Sequence, residues 1–118
     1  MIKNFKNLEI WKRSRKLVRD IYLLTDLLPE HEKFGLVSQM RRAAISVPSN
    51  IAEGCGRRHE KDLIRFLGIS IASLCELETQ LYLVIDLDFV DESSMTNELN
   101  EIVEIRKMIS GFIKSIER

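Results

Sequence analysis

The chain has 118 residues, a formal net charge of zero, five glycines, two prolines and two cysteines. That length makes one domain, residues 1–118, with a modest core. Abundant aliphatic residues without strand-type alternation place it in the all-α class, and two cysteines, Cys55 and Cys75, read as free thiols because neither their count nor their spacing demands a disulfide.

The first helix is expected from about Leu8 to Leu28, stopping before Pro29. Ile10, Trp11, Leu17, Val18, Ile21, Tyr22 and Leu28 define its apolar side, with Trp11 and Tyr22 in the core. Lys12, Arg15, Lys16 and Arg19 fall at i, i+3, i+4 and i+7 and form one basic ridge, with Arg13 at its far edge and Lys3 and Lys6 ahead of it. Such a ridge can neutralise phosphates. It can equally be a solvated face, or pair with acidic residues of the last helix.

A short polar connection, Pro29–Lys33, leads to a second helix over Phe34–Cys55. Leu36, Val37, Met40, Ala43, Ala44, Val47, Ile51 and Cys55 share its core face. Pro48 lies inside this pattern. It has no N–H to give the Ala44 carbonyl, so a kink is expected, with Ser46, Ser49 and Asn50 placed to satisfy freed backbone groups. Arg42, Ser46, Ser49 and Glu53 form an outer polar stripe, and Gly54 and Gly56 stop the helix. A second basic cluster, Arg57, Arg58, His59 and Lys61, follows at the turn. Cys55 and His59 are four apart, but Gly56 separates them and no further ligands accompany them, so no metal or other cofactor is expected.

The segment RRAAISVPSNIAEGCGR, Arg41–Arg57, resembles the signature of the 23S-rRNA intervening-sequence protein family, also called the four helix bundle protein family. FKNLEIWKRSRKLVRDIY looks like that family's first helix, and DLIRFLGISIASLCELETQLYLVIDLDFV like its third. The resemblance spans roughly residues 5–90. It implies an up-down antiparallel four-helix bundle with a proline-kinked second helix, assembling into a ring-like homo-oligomer, a pentamer. Members are encoded within insertions in ribosomal RNA genes. A similar protein, the accessory variability protein of diversity-generating retroelements, binds nucleic acid and a reverse transcriptase. The resemblance carries no enzymatic activity. Gly68-Ile69-Ser70 departs from the more alanine-rich segment of relatives and puts local packing there in question.

The third helix, about Glu60–Asp88, is the longest. Leu63, Phe66, Leu67, Ser70, Leu74, Leu77, Leu81, Val84 and Ile85 make one face, while Ile69, Leu83 and Leu87 lie almost opposite. A helix apolar on both sides leaves a patch that suggests assembly. Glu76 and Glu78 point to different sides and make no general acid–base pair. Glu78 needs a partner, for which Arg41 is the candidate. With Arg42, Asn50 and Glu53 these residues are read as a polar network or interface. The fourth helix follows a cap at Ser93 or Ser94. It turns Leu99, Ile102, Val103, Ile105, Ile109, Phe112, Ile113 and Ile116 inward and Glu98, Glu101 and Glu104 outward.

Residues 1–61 hold 13 Lys/Arg against 7 Asp/Glu, and residues 62–118 hold 5 against 11. This asymmetry makes a dipolar surface if the halves occupy different places. No phosphate-cradling glycine loop, metal cluster or activated nucleophile is present, so no enzyme is expected. The N-terminus lacks the apolar run of a signal peptide, and no stretch has the ~18 uninterrupted apolar residues of a membrane span. The expected protein is cytoplasmic, off the membrane and without a cofactor. It is a homo-oligomer that contacts RNA or DNA through Lys12, Arg15, Lys16, Arg19, Arg57 and Arg58. The alternative is a scaffold ring for a protein partner.

Overall fold

Four amphipathic stripes need four mutually covered faces, and the computed structural model, which describes residues 4–118, arranges them so. Helices α1 (Glu9–Thr25), α2 (Leu36–Cys55), α3 (Glu60–Asp86) and α4 (Thr96–Glu117) are joined by short connections, and no strand occurs among the described residues. Each helix packs on its sequence neighbour, and α4 closes the square against α1. Cross-helix bonds fix an up-down antiparallel order. Arg41, early in α2, reaches Thr25 at the end of α1; Ser70 of α3 reaches Val47 of α2; Arg106 of α4 reaches Glu78 of α3. Ile21, Met40, Leu74, Leu77, Leu81 and Ile105 are fully shielded at the centre. Removing such surface from water is the main stabilising term.

The helix ends differ from the sequence expectation for local reasons. α1 stops at Thr25 rather than Leu28, because the Leu27 and Leu28 amides donate to the carbonyls three residues back and tighten the last turn. α2 starts at Leu36, leaving Phe34 outside the helix. α3 stops at Asp86. Asp88 then takes a left-handed φ of 60°. The Asp88 amide donates to Ile85 and the Phe89 amide to Val84, closing a Schellman-type end with aspartate in the usual glycine position. Neither Ser93 nor Ser94 caps α4 by its side chain; a 3-10 turn at Glu92–Met95 leads in, and Met95 is buried there. Of the predicted inward residues of α4, Leu99, Ile102, Ile105 and Ile109 are buried and the rest half-buried.

The α2–α3 seam is the tightest. Gly54 is not a stop signal: it lies within α2, and Gly56 is the residue at the helix end, with φ −83°. A Cβ at Gly54 would fall 2.9 Å from Phe66 Cβ and 3.1 Å from Leu63 Cδ1. Only glycine permits that approach. α2 runs unbroken through Pro48. Around it, the Asn50 amide donates to the Ser46 carbonyl at 2.8 Å and to its hydroxyl at 2.9 Å. From α3, Ser70 donates to the Val47 carbonyl at 2.9 Å and Ser73 to the Ser46 hydroxyl at 2.8 Å. Ser46 therefore belongs to the seam and not to the outer stripe, whereas Ser49 points to solvent. The serine of the departing Gly68-Ile69-Ser70 segment is buried as a seam donor, and Gly68 faces open space.

Gly54→Ala should destabilise the fold by about 1–3 kcal/mol, the usual cost of forcing an extra methyl into a packed seam. Gly68→Ala should stabilise it slightly, because nothing meets the added carbon and alanine is the better helix former. Thermal unfolding of the two variants beside the parent checks both signs.

Candidate nucleic-acid interface

The fold converts the charge asymmetry of the sequence into a separation along the bundle, whose longest extent is 44 Å. One end is built from the starts of α1 and α3, the ends of α2 and α4, and the α2–α3 turn. Residues 4–16, 47–72 and 107–118, which form it, carry 12 Lys/Arg against 5 Asp/Glu. Residues 17–46 and 73–106, which form the opposite end, carry 5 against 13. The axis, more than the division between chain halves, orders the charge.

The residues predicted to contact nucleic acid, all in the basic end except Arg19, have unequal roles. Lys12, Arg15, Lys16 and Arg19 are all exposed on α1. Lys12 lies 3.9 Å from Glu9 and Lys16 lies 3.4 Å from Asp20, both exposed pairs of little strength. Arg15 stacks on Trp11 at 4.8 Å. Arg13 leaves the ridge: its guanidinium forks onto Glu101 of α4 with 2.9 and 2.5 Å bonds. The two groups hold each other in their charged forms. The Arg13 hydrogen bond and charge keep the Glu101 carboxyl below its usual range against the opposing effect of burial, and the same bond raises the Arg13 pKa. Glu101 is therefore not an outward residue. Lys16 turns toward the same α1–α4 groove, a cleft of about 500 Å³ shared with Glu98 and Glu104. The ridge thus splits, with one flank turned to acidic α4. Arg57 and Arg58 are exposed at the α2–α3 turn, and Arg57 bonds Glu53 at 3.1 Å. Lys3 lies outside the described residues.

Trp11 is half-buried edge-on to Phe5 at 5.1 Å, and Tyr22 is exposed beneath the Arg41 guanidinium at 4.3 Å. Trp11 packs against the edge of the core, whereas Tyr22 lies outside it and departs from expectation, because both are on a flank of α1.

The polar network also differs from expectation. Glu78 pairs with Arg106 at 2.7 Å, not with Arg41. Its side of α3 faces α4, and the bond raises the Arg106 pKa. Arg41 instead closes the end of α1, bonding Thr25 Oγ1 at 2.9 Å and Asp26 at 3.0 Å. Asn50 holds the turn around Pro48, Glu53 serves Arg57, and Arg42 is exposed. Glu76 is exposed and accepts a 3.4 Å bond from Gln80. Gln80 is buried, and its Oε1 has no donor. No polar pattern in the sequence marks that orphan. Cys55 is buried, which pushes its thiol pKa up, and Cys75 is exposed. Among the described residues no three His, Cys, Asp or Glu gather as a metal site.

Apolar surface is the other feature. Ile69, Tyr82 and Leu83 of α3 and Leu87 just past its end are exposed, as are Leu23 of α1 and Leu27 just past its end. Phe34 is 89% exposed and, with Tyr22 and Ile45, rims a groove that also holds Arg41 and Arg42.

Residues 6–111 match the 23S rRNA-intervening sequence protein family. The chain belongs to that family. No curated protein matches it. Among solved structures it is similar to a protein of unknown function from the S23 ribosomal protein family of Bacteroides thetaiotaomicron. The TM-score is 0.82 and the identity 25%, over 89% of this chain and 98% of that one. This family membership and the shared fold agree with the motif at Arg41–Arg57 and with the helices on either side of it.

The Arg13–Glu101 clamp gives a signed pH dependence. Glu101 has its pKa lowered by folding, so its contribution to stability is present above the ordinary carboxylate pKa of 4.5 and is lost as pH falls through the lowered folded value. Unfolding measured between pH 6 and pH 2 should show a shallower acid limb in Glu101→Gln than in the parent.

Proposed function

We propose that this family member is a non-enzymatic homo-oligomer that contacts nucleic acid, most readily structured RNA, through the basic end of its bundle. The observation that carries the reading is the axial charge separation, which gathers exposed Lys12, Arg15, Arg57 and Arg58 at one end of the molecule, with exposed Arg19 further along α1. Phosphates are bound by such surfaces without base recognition, and each neutralised phosphate releases counterions. The exposed apolar faces of α1, α2 and α3 support assembly into a ring, a pentamer in this reading, in which weak contacts repeat once per subunit and add by avidity. A bend of α2 at Pro48 and a cytoplasmic location away from membranes complete the proposal. A second reading, a ring that scaffolds another protein, is favoured by Phe34, a large aromatic side chain held almost wholly in solvent.

The test is fluorescence anisotropy of the purified protein with a structured RNA across a salt series. The reading expects an affinity that falls more than about tenfold between 50 and 200 mM salt, the loss expected for several phosphate contacts. Absence of binding at low salt would overturn it. Recovery of one protein partner regardless of nuclease treatment would then move the case to the scaffold.

A further inference from the structure

At the tip of the basic end, two guanidiniums share one aromatic ring. The Arg57 Cζ lies 4.8 Å and the Arg65 Cζ 4.5 Å from the centre of the Phe66 ring. Phe66 is buried, and Gly54 allows α2 to close directly on its Cβ. Both arginines are exposed. Stacking on the ring orients planar forks that would otherwise be mobile, which lowers the ordering cost of binding. Both groups lie within 5 Å of one ring centre, so the two forks belong to one small patch of surface that a phosphate, or two neighbouring phosphates of one strand, can span. Arg58 and Lys61 stand beside them, exposed and without a salt-bridge partner among the described residues. Arg65 likewise has none, while Arg57 has the Glu53 carboxylate at 3.1 Å. That pair is solvent-exposed on adjacent turns, so it is weak and easily exchanged for a stronger anion.

We propose that Arg57 and Arg65, oriented by Phe66, form the phosphate clamp that anchors structured RNA, with Glu53 as the internal anion that RNA displaces. The inference rests on the nucleic-acid reading and narrows it. The anchoring contacts lie at the α2–α3 turn and the first turns of α3, and the α1 ridge supplies only diffuse attraction. Arg65 is the residue the sequence reading lacked.

The experiment compares binding of one structured RNA by the parent, Arg57→Lys/Arg65→Lys, Arg57→Gln/Arg65→Gln, Glu53→Gln and Lys12→Gln/Arg19→Gln, each with a melting curve and a solution mass. The lysine pair keeps the charge but loses the stacked fork. It should weaken binding about tenfold with an unchanged salt slope, whereas the glutamine pair should also lower that slope by about two contacts. Glu53→Gln should tighten binding, a gain that misfolding does not produce. If the lysine pair and Glu53→Gln bind as the parent does while Lys12→Gln/Arg19→Gln binds weakly, the clamp is wrong and the nucleic-acid reading stands. If the parent binds no RNA at low salt, both fall.

Discussion

α3 carries more apolar surface than a four-helix bundle can cover. It is 27 residues long, and its length and composition are those of a helix able to cross a membrane. In the bundle one side of it is used by α2 and α4. Leu63, Leu67, Leu74, Leu77, Leu81 and Val84 are withdrawn completely from solvent. The other side keeps Ile69 and Leu83 exposed, with Leu87 exposed just past its end. Everything else in the fold accommodates this helix. α2 approaches it closely enough to require Gly54, and Ser70 and Ser73 reach across to Val47 and Ser46 of α2, just before Pro48. On the far flank Glu78 ties it to Arg106 of α4. What remains uncovered is the physical reason to expect further copies of the chain.

Much of this was legible in the residues. Helical periodicity locates four helices, and the two-sided apolarity of the third marks the exposed Ile69, Leu83 and Leu87. The Arg41–Arg57 motif carried the family. Where the sequence reading departed, the cause is tertiary. Gly54 looks like a terminator until a second helix is laid against it. Glu78 has arginines on either side in the chain, and only the direction in which α3 turns selects Arg106. Glu101 sits on a stripe that looks outward until α1 packs beside it and Arg13 claims it. Asp88 closes the end of α3 in a left-handed turn where glycine is the usual signal, so the sequence pattern runs two residues past the true end at Asp86.

The charge pattern shows the same limit. Summed over chain halves it looks like a division between helix pairs. Antiparallel folding redistributes it, because the start of α1, the end of α2 and the start of α3 meet at one end. The basic ridge read along α1 is then only one part of a larger basic end, and its α4-facing flank is answered by Glu98, Glu101 and Glu104. Arg65, unremarkable as an isolated charge among the leucines and isoleucines of α3, becomes prominent once its guanidinium and that of Arg57 are found over one buried phenylalanine.

The central claim is that the uncovered face of α3 and the exposed apolar residues around it are completed by other copies of the same chain. The most direct measurement is the solution mass of the purified protein by light scattering or native mass spectrometry, at micromolar concentration and at both low and high salt. The account predicts a discrete multiple of the 13.7 kDa chain mass, five copies in the proposed ring, that persists at high salt because apolar contacts hold it. A 13.7 kDa monomer under all of these conditions would contradict it.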